Sequence, residues 1–163
     1  LFAREIVKTI VICFSYHHKN TAKIALVFAS TLNAETKTPP EVNPNGLSEY
    51  DLIGFGSGIY FGKHHKSLLD LANKLPQVTN KKAFIFSTSG QTGNTSKFHK
   101  QLREKLQSKG FNIVGEFNCA GLDTYGLMKI VGGLNKERPN KDDIKQAEAF
   151  AQSLNQQATV VKS

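Results

Sequence analysis

Apolar positions follow two alternating patterns along the chain. Short β-branched or aromatic runs recur at Glu5–Phe14 (EIVKTIVICF), Tyr50–Gly56 (YDLIGFG), Lys82–Ser87 (KAFIFS) and Phe111–Cys119 (FNIVGEFNC). Runs of this kind suit strands covered on both faces. Between them the spacing becomes helical. Asn20–Thr31 groups Ile24, Ala25, Val27 and Phe28. Lys66–Leu75 groups Leu68, Leu69, Ala72 and Leu75, and Pro76 ends it. Thr95–Lys109 groups Phe98, Leu102 and Leu106, with Gly110 as its stop. Lys141–Leu154, introduced by Pro139 and Asn140, groups Ile144, Ala147, Phe150, Ala151 and Leu154. A short strand is expected near Ala34–Lys37, and TPPEVNPNG after it is turn-rich.

Strands alternating with helices of this length predict an α/β domain: a doubly wound, five-stranded parallel sheet with helices on both faces. The length of 163 residues suits a single domain over 1–163, with its core at about 6–154. In open parallel sheets ligands sit beyond the carboxyl ends of the strands. That rule selects four loops for chemistry: Ser15–Thr21, Ser57–His65, Thr88–Asn94 and Ala120–Arg138.

The net charge of +8 is uneven along the chain. Residues 60–110 hold ten basic side chains against only Asp70 and Glu104, whereas the flanking thirds are balanced. Such a stretch reads either as a solvated lysine-rich surface or as a docking face for an acidic partner. No nucleic acid is expected. No apolar run approaches the roughly 20 residues of a membrane span. The start, LFAREIVKTIVICF, lacks the pattern of a secretory signal. Cys13 and Cys119 each sit in a strand-like run and read as buried reduced thiols, which points to the cytoplasm.

The loop after the first strand, SYHHKNT, is rich in donors and contains no acid. Ser15, Asn20 and Thr21 offer side-chain donors, and the amides of a turn at a helix start offer more, so the loop reads as an anion cradle. It has no glycine, which excludes a P-loop. A low-molecular-weight tyrosine phosphatase would need arginine six residues after Cys13, where Lys19 stands and cannot clamp phosphate bidentately. A receiver domain would need an aspartate after strand three, where Ser57 and Gly58 stand. The pairs His17-His18 and His64-His65 have no Cys, Asp or Glu beside them, so no metal is expected.

The loop after the third strand, GSGIYFGKHH, combines small residues with aromatics. Small residues admit a flat ligand close to the backbone, and aromatics supply a stacking wall. Together with SYHHKNTAKIA and YDLIGFG, this stretch resembles the flavodoxin family over nearly the whole chain, from Ile6 to Leu154. The resemblance implies strand order 2-1-3-4-5 and a non-covalent FMN. It implies that Ser15, Tyr16, His17, His18, Asn20 and Thr21 lie at the phosphate. It places Ser57, Gly58, Ile59, Tyr60 and Phe61 along the ring, Tyr60 first and Phe61 second. The uncharged loop STSGQTGN places Thr88, Ser89 and Gly90 at the ribityl chain and polar edge. Gly58 and Gly62 are candidates for a peptide that reorients beside the flavin, and Tyr125 for lining the cleft. No catalytic acid, base or nucleophile stands out.

Two functions follow from the resemblance. One is an electron carrier that shuttles electrons between redox partner proteins. The other is an NAD(P)H-dependent FMN or quinone oxidoreductase on the same fold. Adjacent Tyr60 and Phe61 favour a covered ring and hence the carrier. The chain departs from the many flavodoxins that are acidic, because its excess charge is basic and lies beside the flavin loop.

Overall fold

In a computed structural model, the described residues are 7–15, 20–121 and 138–158. The run TIVICF forms β1 (Thr9–Phe14), followed by α1 (Asn20–Leu32) and the short β2 (Glu35–Lys37). Two 3-10 turns carry the proline-rich stretch across to β3 (Leu52–Tyr60). Then come β4 (Lys63–His64), α2 (Lys66–Lys74), β5 (Lys81–Ser89), α3 (Thr95–Ser108), β6 (Phe111–Ala120) and α4 (Lys141–Ala158).

The sheet order is β2-β1-β3-β5-β6, all parallel, and β4 pairs antiparallel with the end of β3. Leaving β4 aside, this is the order expected from the sequence. Side chains alternate across the sheet and so divide the core into two layers. Ile10, Ile12, Ile53, Phe55, Ala83 and Ile85 face α2 and α3. Val11, Cys13, Leu52, Phe84, Phe86 and Phe117 face α1 and α4. In this second layer Phe28 meets Phe84, Phe86 and Phe117 edge-on, with ring centroids 5.0–5.6 Å apart. Both cysteines are buried and unpaired, and burial pushes each thiol up to about 12.

The last strand, β6, contains one irregularity. Ala83 pairs with Ile113 but Phe84 pairs with Gly115, so Val114 is an extra residue in β6. A one-residue bulge reverses which side chains face each layer beyond it. Glu116 and Asn118 thereby point toward α3, and Phe117 and Cys119 join the opposite layer.

The sequence expectation of a loop over Ser57–His65 is corrected. β3 continues through Ser57, Gly58, Ile59 and Tyr60, then returns as β4 through the two-residue turn Phe61-Gly62. Both turn residues have positive φ, 52° and 80°, which is the geometry of a type I′ hairpin. Small residues that read as loop punctuation are ladder residues, because neighbouring strands supply their backbone partners: Phe14 pairs with Ser57, and Gly58 with Thr88. For the same reason β5 runs on to Ser89 and β6 to Ala120. Val7 and Lys8, expected within the first strand, precede it, and Glu5 and Ile6 lie outside the described residues. At the start of α4 the Asn140 side chain accepts from the Asp143 amide (3.0 Å), and the Asp143 carboxylate accepts from the Asn140 amide (2.8 Å). This reciprocal cap fixes the start of the helix, which runs on to Ala158, beyond the expected Leu154.

Candidate functional site

The carboxyl ends of β1, β3, β5 and β6 converge on one edge of the sheet. Ser15 follows β1 directly, and its Oγ accepts from the Ala22 amide (3.2 Å), which caps an orphan donor of α1. Asn20 begins that helix, whose first turn has no acid to oppose an anion. Gly121, at the end of β6, packs tightly against it: a Cβ there would stand 2.9 Å from Asn20 Nδ2. Thr21 is buried and its Oγ1 lies 2.7 Å from Thr88 Oγ1. Two candidate residues thus tie the start of α1 to the end of β5. Tyr16, His17, His18 and Tyr125 lie outside the described residues.

The hairpin β3–β4 forms the second wall. Tyr60 folds back over Gly58, where a Cβ would sit 3.2 Å from Tyr60 Oη, and it meets His65 edge-on at 5.2 Å. His65 stacks on Phe14 with centroids 3.8 Å apart and planes 11° apart. Its Nδ1 accepts from the Ser67 amide (3.1 Å), so the imidazole also caps α2. Burial lowers its pKa. Ile59 pairs with His64 across the hairpin. Phe61, at the tip, is 92% exposed. It is one of two large apolar side chains left in solvent among the described residues, the other being Leu26 on α1. The third wall is Thr88, Ser89 and Gly90. The Ser89 hydroxyl donates to the Gln91 carbonyl and accepts from Asn118 Nδ2 (3.2 Å).

Beneath these walls lies a buried polar cluster that sequence reasoning missed. Ser57 is fully buried and points inward, beneath the site. Its Oγ lies 3.0 Å from His64 Nδ1, accepts from the His65 amide (3.0 Å) and is 2.7 Å from the Gly58 carbonyl. Ser87 Oγ lies 2.7 Å from His99 Nε2 and accepts from Asn118 Nδ2 (2.8 Å). His99 Nδ1 donates to Glu116 (3.0 Å), and Arg103 holds the same carboxylate through Nε (2.9 Å) and Nη2 (2.8 Å). The His64 and His99 rings lie 5.0 Å apart. Burial drives both imidazoles toward neutrality. His64 lies well below the ordinary histidine value, with charge repulsion from His99 adding to the effect. His99 comes to about 4 although Glu116 opposes the shift.

The order Glu116–His99–Ser87 matches that of a carboxylate–base–nucleophile triad. Ser87 and His99 are both fully buried, and the Ser87 hydroxyl is engaged by Asn118, so this set locks α3 to the sheet. His99 was legible only as a polar residue next to the apolar position Phe98. Among the described residues, no three His, Cys, Asp or Glu side chains gather as a metal site.

Comparison with known proteins agrees with this architecture. A family model described as a flavodoxin domain matches residues 11–129. An uncharacterized protein of Methanocaldococcus jannaschii is 56% identical over 147 residues, covering 90% of this chain and 97% of that protein. Oxidised flavodoxin 2 from Bacillus cereus superposes with a TM-score of 0.69 at 16% identity, covering 93% of this chain and 99% of that one. A WrbA-like flavodoxin from Agrobacterium tumefaciens gives 0.68 at 17% identity, with 95% and 99% covered. At such low identity these two structures speak to the fold alone.

Proposed function

Because the chain belongs to the flavodoxin domain family, we propose that it binds FMN non-covalently and passes electrons between redox partner proteins. The observation that carries this reading is the exposed Phe61 next to Tyr60, on a hairpin at the same sheet edge as the donor-rich start of α1. Exposing a phenyl ring in a left-handed turn is unfavourable without an occupant, and a flat aromatic ligand supplies one. The residues fit the cofactor. Ser15, Asn20 and Thr21 stand at the positively polarised helix start that suits a phosphate. The polar end of β5, Thr88 and Ser89, with Gly90 after it, lies at the same sheet edge and suits a ribityl chain, its hydroxyls held in place by Thr21, Gln91 and Asn118. Bound FMN would supply the electron-accepting ring. The chain's own residues bind it, orient it and exclude water from it.

The visible spectrum of the purified protein, followed by titration of the flavin-free form with FMN, tests this reading. A flavin spectrum and saturable fluorescence quenching are expected, and no binding at micromolar FMN overturns it.

A basic face accompanies the site. Lys63 on β4, Lys66 on α2 and Lys97 and Lys100 on α3 are exposed around the hairpin, and Asp70 pairs with only one of them, Lys66 (2.7 Å). This charge suits acidic redox partners, whose association would weaken with salt. The unpaired thiols suit a reducing compartment such as the cytoplasm. No helix among the described residues is long and apolar enough to cross a membrane.

The alternative is an NAD(P)H-dependent flavin or quinone reductase, and the likeness to the WrbA-like flavodoxin keeps it in play at the level of fold. Turnover of NADPH with a quinone at many per second would favour the reductase.

A further inference from the structure

The row Phe14, Ser57, Ser87 and Asn118 crosses four strands in register at the ligand edge of the sheet. Its residues face the α2–α3 layer, and the polar ones take partners there. Donor counting fixes their roles. Ser57 Oγ accepts from the His65 amide. Its single proton goes to the Gly58 carbonyl, so the His64 contact must be a donation from Nδ1–H. The second ring nitrogen, Nε2, is then a bare acceptor. It is buried and has no hydrogen-bond partner among the described residues. An unpaired buried polar atom normally destabilises a fold. The ring is held by its Nδ1 end and by the flank of His99, which is itself fixed by Ser87 and Glu116.

We propose that His64 is the positioning residue of the hairpin. Through Ser57 it fixes the Gly58 carbonyl and the His65 amide in the shape that receives the ligand. The hydroxyl gathers three backbone or ring groups from both ends of the hairpin onto one atom. Reorienting the Gly58 carbonyl breaks the Ser57 bond. His65 stacks on Phe14 and touches Tyr60, so a displaced His65 would move the aromatic wall. His99 serves as a rigid backstop, so α3 is part of the same support. The proposal rests on the FMN reading for the identity of the ligand, but its structural core is independent of it.

The test uses three variants of the full chain. His64→Asn keeps a hydrogen-bonding atom near the place of Nδ1. His64→Phe keeps the ring and removes the bond. Ser57→Ala removes the hub. Two quantities are read: hydrogen exchange at the His65 amide in the flavin-free protein, and the dissociation constant for FMN. His64→Phe and Ser57→Ala are expected to speed exchange at His65 at least about tenfold and to weaken FMN about tenfold, with His64→Asn close to wild type in both. Unchanged exchange in His64→Phe or in Ser57→Ala overturns the proposal, as does failure of His64→Asn to keep exchange slow. If His64→Phe does not fold, His64→Leu is read in its place, and unchanged exchange at His65 there overturns the proposal. If the wild-type chain binds no FMN, the cofactor reading fails while the exchange measurement still decides the role of His64.

Discussion

Ser57 and Ser87 stand opposite each other on β3 and β5, and each hydroxyl is engaged by a different buried histidine. The two imidazoles then lie against each other, 5.0 Å apart. The ligand edge of the sheet is thus supported from below by two side-by-side serine–histidine contacts, one reaching the hairpin and the other reaching α3. Only the second is completed by a carboxylate, Glu116, which Arg103 holds in turn.

That asymmetry makes the fold sensitive to acid. His99 titrates at about 4 in the fold against an ordinary value of 6.5, because burial disfavours its charge. His64 shifts in the same direction. Above pH 6.5 neither state binds the proton and stability is constant. Between 6.5 and about 4 the unfolded chain takes up protons that the fold refuses, so stability falls, by about 3 kcal/mol for His99 alone. Burial raises the Glu116 carboxyl, but the bonds from Arg103 and His99 prevail and lower it, so its contribution is also lost at low pH. Urea midpoints should be equal at pH 7 and 8 and clearly lower at pH 4.5. A midpoint independent of pH over this range would contradict the buried neutral pair.

The Thr21–Thr88 contact predicts a coupled pair. Thr21→Val or Thr88→Val alone leaves the other hydroxyl buried without its partner, at a cost of about 1–3 kcal/mol. The double variant should cost less than the sum of the two, as read from denaturation of all four proteins.

Phe61 separates stability from binding. Its φ of 52° is strained for a bulky residue, and its side chain is exposed. Phe61→Gly should leave the Tm of the flavin-free protein unchanged or raise it, while weakening FMN about tenfold through loss of a stacking surface. Equal FMN affinity in fluorescence titrations would remove Phe61 from the site.

Gly56 marks a close approach between strands and rings. A Cβ there would lie 2.3 Å from the Phe86 ring, and Gly54 stands in the same relation to Phe84. Gly56→Ala should destabilise by about 1–3 kcal/mol through overpacking. A thermal melt should show the loss as a lowered Tm, and an unchanged Tm would mean that the Phe28 cluster repacks freely.

Much of this molecule follows from local pattern. The β-branched runs, the helical spacing of Ile24 and Phe28 or Leu102 and Leu106, and the alternation of the two specify a parallel sheet, because each element must bury one face and only neighbours can cover it. Ser15, Asn20 and Thr21 were legible as a donor-rich helix start for the same local reason. Tertiary structure decided the rest. Ser57 reads as loop in sequence but is a ladder residue, since strand length depends on the partner beside it. His99 reads as one polar position on α3, yet the bulge at Val114 turns Glu116 and Asn118 toward it and makes it part of a buried chain. Register between strands far apart in sequence is set by packing of the whole sheet, so no local spacing announces that Ser57, Ser87, His64 and His99 meet.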